Sequence, residues 1–295
     1  MMDLSGLLPW AGLAGAGLGD ADVAVGGIPY DGSAAYRKGA AEAPARIRGL
    51  SPVMPPVTED GRHLLGLAIH DLGDIDVGLE IETGWEAAAD RLAAVPSRAL
   101  LTMMGGDHCS TIPILAAQAR RHHDLRVLWV DAHPDLCDFS RGGSWTCGCA
   151  LRRGLEVAGL PPSAAAIAGG RDYDLEELEF IRDNGMLLIS SADLSRDPDG
   201  AGLKVAEWSG GRPLHVSFDI DVLDPAAAPG TEIPSPGGLS TRESLDFLAA
   251  LARRADLVGL DVVEVAPPYD HNDLTSLAAL KVIFEFWGRA WKPRT

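Results

Sequence analysis

The sequence predicts an α/β fold built on an eight-stranded, mainly parallel sheet with helices on both faces. Its strand candidates are short apolar stretches, such as VLWV at 127–130, that are typical of strands buried on both faces. Helical patterns separate most of these stretches, and parallel neighbours need such crossovers. The 295 residues show no linker, low-complexity tract or internal repeat. We therefore expect a single domain over residues 1–295.

Turn and cap residues delimit the elements in the first half of the chain. The first strand, at 22–28, runs into a Pro-Tyr-Asp-Gly turn. A helix at 40–50 tolerates Pro44, because proline fits the first helical turn. Ser110 is a candidate N-cap for a helix at 111–121. The other elements of this half are strands at 66–70, 99–104 and 127–130 and a helix at 85–94.

The second half alternates in the same way. Strands are expected at 164–168, 186–189, 214–219 and 257–263. Helices are expected at 149–157, 175–182, 200–208, 241–252 and 274–287. At the end of the second strand, His70 and Asp71 are better explained by a strand-end turn than by metal binding.

The composition excludes several classes of partner. The formal net charge of −17 and the pI near 4.7 disfavour binding to nucleic acid or to anionic membranes, and favour a cationic substrate. No apolar run reaches the roughly 18 residues that span a membrane. The first 19 residues lack the basic segment of a signal peptide, so we expect a cytoplasmic protein.

Polar side chains follow the fourth predicted strand at alternate positions. Asp131, His133 and Asp135 point to the same side of an extended chain, so three metal-ligating groups converge where the strand ends. Taken alone, this pattern fits a metal site and a polar, proline-containing turn equally well.

Two more strands end in the same way and favour the metal site. Asp219 and Asp221 alternate at the end of the seventh strand, and His108 follows the third. Ligands of open parallel sheets bind beyond the carboxyl ends of the strands. Carboxylates gathered there repel one another unless cations compensate. Four aspartates and two histidines therefore predict a site for two divalent ions.

These segments resemble the three signature motifs of the ureohydrolase family, which contains the arginases, the agmatinases and related amidinohydrolases. They read GGDH at 105–108, DAHPD at 131–135 and SFDIDVLDP at 217–225. Smaller matches follow the family's order at 29–32, 37–40, 73–74, 236–239 and 261–265. The resemblance implies the single-domain arginase-like fold and assembly into a homotrimer or homohexamer.

The resemblance also implies how the six residues divide between two ions. One ion would be held by His108, Asp131, Asp135 and Asp219, and the other by Asp131, His133, Asp219 and Asp221. Oxygen ligands with two imidazoles suit two Mn²⁺ per subunit, with Ni²⁺, Co²⁺ and Zn²⁺ as alternatives. Water between two cations loses its proton far more readily than bulk water, whose pKa is about 15.7. The resulting hydroxide, oriented by Asp135, would attack the carbon of a guanidinium or similar amidine.

Two further residues have catalytic roles by resemblance. Glu264 ends the eighth strand where the family has the acid that anchors the guanidinium group; the alternative is a strand-terminal surface acid, but the surrounding V-E-V-x-P sequence favours the anchor. Cys147 stands where most members have a histidine that passes a proton to the departing amine. A thiol has an unperturbed pKa of about 8.5 against about 6.5 for imidazole, so ordinary guanidino chemistry is in question here. Alternatively, Cys147 ionises near the cations and becomes a ligand.

The sequence leaves the substrate's tail open. Asp174 resembles the aspartate that binds the α-amino group in arginases, and Glu177 could support it, but both equally fit the start of a helix. Cys137 replaces the asparagine that arginases use at the amino-acid end. We expect a small guanidino substrate, with a formimino compound or a catalytically silent, metal-binding regulatory subunit as alternatives.

Overall fold

Eight parallel strands form one sheet in this computed structural model, which describes residues 8–292. Their order is β2-β1-β3-β8-β7-β4-β5-β6, and each neighbouring pair is parallel. The strands are β1 (Val23–Ile28), β2 (Ile69–Asp74), β3 (Leu100–Gly105), β4 (Arg126–Val130), β5 (Ala165–Gly170), β6 (Leu187–Ser190), β7 (Pro213–Asp219) and β8 (Asp256–Val263). The predicted sheet is confirmed.

Helices cover both faces of the sheet. Those of the described residues are α1 (Ala43–Leu50), α2 (Ile81–Ala93), α3 (Thr111–Arg121), α4 (Ala150–Ala158), α5 (Leu175–Asp183), α6 (Ser191–Arg196), α7 (Pro198–Ser209), α8 (Thr241–Ala252) and α9 (Leu274–Ala290). Alternate residues of β4 show the two layers: Val127 and Trp129 pack in the cluster of α2 to α5, and Leu128 and Val130 in the cluster of α1 and α6 to α9. Each face of the sheet therefore has its own apolar core.

The second strand corrects one prediction. The sequence places it at 66–70, but β2 begins at Ile69, so His70 and Asp71 lie within the strand instead of in a turn. Because β1 is the only strand that pairs with β2 among the eight strands of the sheet, β2 is an edge strand and tolerates polar residues. Asp71 accepts hydrogen bonds from Trp10 Nε1 at 2.7 Å and from Arg48 Nε at 3.0 Å. The polar run thus ties the sheet edge to α1.

Two smaller corrections concern helix ends. Ser110 occupies the N-cap position of α3 without capping it; its hydroxyl donates to the Asp107 carbonyl at 2.7 Å. A 3₁₀ turn at His108–Ser110 precedes α3, and the Asp107 side chain accepts from the Cys109 N–H at 3.1 Å instead. Helix α6 was not predicted, because six residues show too little periodicity.

The strand order explains where a site can form. Strands β3, β8, β7 and β4 are consecutive in the sheet, so the segments that leave their carboxyl ends are neighbours in space. All three predicted polar segments and Glu264 follow these four strands. Across residues 8–292, no helix is both long and apolar enough to cross a membrane.

Candidate metal centre and substrate cavity

His108 lies at the middle of the first predicted ligand set. Its Nδ1 is 2.9 Å from Asp131 Oδ2, 3.2 Å from Asp135 Oδ2 and 3.1 Å from Asp219 Oδ2. All four side chains are buried. The structure thus brings together, around one point, the four residues expected to share one ion.

The second set adjoins the first through Asp131. His133 Nδ1 is 3.1 Å from Asp221 Oδ2 and 3.4 Å from Asp131 Oδ1. Asp131 therefore directs one carboxylate oxygen to each histidine. Asp219 directs its Oδ2 to His108 of the first set, and its Oδ1 accepts from the backbone N–H of Asp221, a member of the second set, at 2.7 Å. Its predicted bridging role remains a prediction.

The chemistry of these side chains fits divalent cations. His108 Nδ1 and Asp131 Oδ2 are buried and have no hydrogen-bond partner within residues 8–292, although they face each other. Burial raises the pKa of Asp135 to about 8, with the charge of Asp131 adding to the effect. Burial likewise raises the pKa of Asp219. A cluster of oxygen atoms and two imidazole nitrogens with unsatisfied lone pairs suits ions of the Mn²⁺ type.

A buried network holds His108 from behind. Its Nε2 is 2.9 Å from Ser217 Oγ, which donates to Asp261 Oδ1 at 2.7 Å. Asp261 also bonds His215 Nε2 at 2.6 Å and the Thr111 hydroxyl at 2.9 Å. Because the Ser217 hydroxyl donates to Asp261, its oxygen can accept from the Nε2–H of His108. In this tautomer Nδ1 carries no proton, and its lone pair points at the carboxylates, as a metal ligand requires. This network was not predicted, because its members are separate core positions in the sequence.

Two of the predicted catalytic residues adopt backbone conformations that residues other than glycine rarely adopt. Asp135 has φ 55° and Glu264 has φ 64°. Such conformations cost about 1–3 kcal/mol and concentrate at functional sites. Glu264 is held there by its N–H, which donates to the Gly106 carbonyl at 2.8 Å, while its Oε1 accepts from the His108 N–H at 2.8 Å. The predicted anchor is therefore a buried acid fixed beside a predicted ligand.

A cavity of about 270 Å³ opens onto these residues. Its lining includes ligand candidates and both other predicted catalytic residues, namely His133, Asp135, Asp219, Asp221, Cys147 and Glu264. The predicted substrate-binding residues Asp174 and Glu177 line it as well, together with Cys137. The structure thus joins the metal cluster and the predicted tail-binding residues in one space.

Asp174 and Glu177 form the capping box of α5. Glu177 is buried, and its two oxygens accept from the N–H groups of Asp174 and Leu136, both at 2.9 Å. The helix-start role is therefore present. Asp174 is exposed, so its carboxylate is open to the cavity, and its binding of substrate stays a prediction.

Cys147 is buried, and its surroundings favour the neutral thiol. Burial, followed by the charge of Glu264, raises the pKa of Cys147 well above its ordinary value. Its Sγ donates to the Ser33 carbonyl at 3.4 Å. Ser33 is fixed by Asp107, which accepts from its N–H at 2.8 Å and its hydroxyl at 2.7 Å. This environment favours a proton-bearing thiol over an ionised ligand.

Glu232 is a site residue that the sequence reasoning missed. It lies in the loop between β7 and α8, and its carboxylate and that of Glu264 lie within 4.8 Å of each other and of Cys147 Sγ. The loop reaches this place because Thr231 pairs with Val265, just after β8. A Pro- and Gly-rich loop has no periodicity that reveals a buried acid.

Comparison with known proteins establishes the family. The family model described as "Arginase family" matches residues 21–288, which is nearly the whole length of the chain. The chain belongs to the arginase family. The identification of the motifs as those of ureohydrolases is confirmed, and with it a family of metal-dependent amidinohydrolases.

Two curated members of the arginase family show the range of relatives. Proclavaminate amidinohydrolase of Streptomyces clavuligerus is 37% identical, over 88% of this chain and 85% of the relative. An agmatinase of Bacillus anthracis is 33% identical, over 90% of this chain and 91% of the relative.

Solved structures of the family agree with the fold. The Streptomyces clavuligerus proclavaminate amidinohydrolase superimposes with a TM-score of 0.87 at 32% identity, covering 98% of this chain and 99% of the other. Formimidoylglutamase of Bacillus subtilis also reaches a TM-score of 0.87, covering 100% of this chain and 95% of the other, but at 24% identity. The latter likeness shows the arginase-like fold alone.

Proposed function

We propose that this chain hydrolyses a C–N bond of a small guanidino compound and releases urea or a substituted urea. The observation that carries the proposal is one cavity of about 270 Å³ that is lined by four of the six predicted ligands, His133, Asp135, Asp219 and Asp221, and by the buried Glu264. We assign the activity to a single domain over residues 1–295 that works in the cytoplasm as a homotrimer or homohexamer.

Two Mn²⁺ ions are the proposed cofactor. His108, Asp131, Asp135 and Asp219 would hold one, and Asp131, His133, Asp219 and Asp221 the other, as the contacts around the two histidines support. Bound there, the ions would lower the pKa of water and stabilise negative charge that develops on the substrate.

Three side chains would do the remaining work. Glu264 would pair with the N–H groups of the head group and place its carbon over the cluster. Asp135 would accept a hydrogen bond from the attacking water and orient it. The thiol of Cys147, which lines the same cavity, would supply the proton for the departing amine less readily than imidazole does. A neutral thiol fits a substrate whose leaving group needs little assistance.

The exposed acid Asp174 is the proposed contact for a cationic or hydrogen-bonding tail. The net charge of −17 would favour the approach of such a substrate. The names of the relatives point to agmatine for the agmatinase and to an amidino compound for the proclavaminate enzyme. None of these names fixes the tail that this chain accepts.

A substrate panel tests the proposal. The chain is loaded with Mn²⁺, its ion content is measured, and urea release is followed with arginine, agmatine, guanidinobutyrate, guanidinopropionate and N-hydroxyarginine. We expect turnover of at least one compound, and loss of that turnover after chelation. Silence across the panel with two ions bound would exclude the guanidino reaction and favour a formimino substrate.

The same preparation tests the regulatory alternative that Cys147 suggests. A silent subunit should co-purify from the native host with an active homologue. Isolation as a homo-oligomer with its own turnover would contradict that role and agree with the proposed homotrimer or homohexamer.

A further inference from the structure

Glu232 is a buried acid, and no cationic side chain in the described part of the chain pairs with its carboxylate. Its side chain has no exposed surface. Oε1 accepts only a long hydrogen bond from the Ala40 N–H, at 3.4 Å, and Oε2 has no partner among the described residues. Arg37 contacts this loop, but it donates to the backbone carbonyls of Thr231 and Glu232 and not to the carboxylate. When ionised, such a carboxyl group destabilises the fold unless a bound cation compensates its charge; without a cation it holds a proton instead.

The neighbours of Glu232 make this compensation more necessary. A carboxylate oxygen of Glu232, one of Glu264 and the Sγ of Cys147 lie within 4.8 Å of one another. Burial, followed by the charge of Asp107, raises the pKa of Glu232 to about 8. Glu264 and Cys147 line the cavity, and the Glu232 carboxylate lies directly beside both of them. Two buried acids beside a thiol are chemically suited to accept hydrogen bonds from a cation that carries several N–H donors.

We propose that Glu232 is a specificity-determining residue that, with Glu264, binds the guanidinium head group along two of its edges. The inference rests on the proposed function and names its substrate class. A guanidinium carries N–H donors on all three nitrogens, so each carboxylate takes a different edge. An amidinium, including a formimino group, lacks one nitrogen and leaves one buried carboxylate unpaired. The site therefore selects guanidino over formimino compounds.

Two small cations test this selection directly. Guanidinium and acetamidinium have the same charge and nearly the same shape, but acetamidinium has a methyl group in place of one amino group. Their chlorides are titrated calorimetrically, at millimolar concentration, into the full chain loaded with Mn²⁺. We expect guanidinium to bind roughly ten- to one-hundredfold more tightly, the range expected when one buried acceptor is left unpaired.

The variant Glu232→Gln keeps the shape and removes the charge. It should weaken guanidinium binding by roughly tenfold while leaving acetamidinium binding nearly unchanged, so that most of the preference disappears. Glu42→Gln, which removes an exposed acid just before α1, is the control and should keep the preference. Glu232→Asp keeps the charge and should retain part of it. Thermal unfolding of each variant checks that it is folded.

Three results would overturn the inference. The first is an unchanged guanidinium preference in Glu232→Gln. The second is a fall in kcat for this variant with unaltered affinities, which would assign Glu232 to proton transfer. The third is a third Mn²⁺ per chain that the variant loses. Binding of guanidinium and acetamidinium is measured without turnover. If no compound of the urea panel is hydrolysed but the Glu232-dependent preference for guanidinium remains, only the proposed hydrolysis is contradicted.

Discussion

At the scale of single residues, the neutral thiol of Cys147 raises the sharpest question about catalysis. Its proton points to the Ser33 carbonyl at 3.4 Å, and burial together with the charge of Glu264 keeps the pKa high. An imidazole at the same place would be half protonated near pH 6.5 and could both accept and donate. General acid assistance is worth about 10²–10⁴-fold in rate. With a thiol in this place, we expect part of this rate enhancement to be lost for substrates with poor leaving groups.

Substitution of this residue gives a direct measurement. Cys147→His should raise kcat/KM for unmodified guanidino substrates by up to about 10²-fold, the lower end of the range for acid–base assistance. Cys147→Ser should slow the native reaction if the thiol takes part in it. Cys149→Ser is the control, because Cys149 is also buried but does not line the cavity. Equal kinetics in all variants at full metal content would show that Cys147 only fills space.

At the scale of elements, strand β7 and strand β8 position His108 through Ser217 and Asp261. Ser217→Ala removes the acceptor of His108 Nε2 and leaves the ring free to turn. We expect the Mn²⁺ affinity, measured calorimetrically, to fall about 10–100-fold, as for other partners of metal-bound histidines. Ser244→Ala is the matched control, since its buried hydroxyl has no hydrogen-bond partner in the described part of the chain. Similar affinities for both variants would contradict the positioning role.

The elements also show what a sequence can and cannot reveal. Central strands such as β4 and β7 are buried on both faces, so their apolar runs mark them, and the alternation of Asp131, His133 and Asp135 marks the side they face. The bounds of strand β2 were misplaced, because an edge strand needs no such run. The site roles of Glu232 and Asp261 were not predicted for a different reason. Glu232 is placed by a loop that pairs with the segment after β8, and Asp261 acts through Ser217 on the neighbouring strand β7; no local sequence pattern contains such contacts.

At the scale of the whole molecule, the fold concentrates buried acidic side chains at the carboxyl ends of the central strands. Asp135 and Glu232 each have a pKa of about 8, raised first by burial and then by neighbouring acids. An ordinary carboxyl has a pKa near 4, so the folded chain without ions holds more protons there than the unfolded chain does. The stability that these groups contribute is therefore present at about pH 4 and is lost as the pH rises towards 8. Cations bound at these strand ends would replace the protons.

This linkage predicts opposite responses with and without ions. The melting temperature of the chelator-treated chain should fall on the order of 5 °C or more between pH 5 and pH 8, because a tenfold difference in proton affinity between the folded and unfolded chain already corresponds to about 1.4 kcal/mol. The Mn²⁺-loaded chain should become more stable over the same interval, since proton loss creates the ligands that bind the ions. Calorimetric scans of both forms measure the two slopes. Glu232→Gln removes one titrating acid and should reduce the fall in the chelated form. A melting temperature that rises with pH in the absence of ions would mean that these acids are already ionised and compensated within the protein.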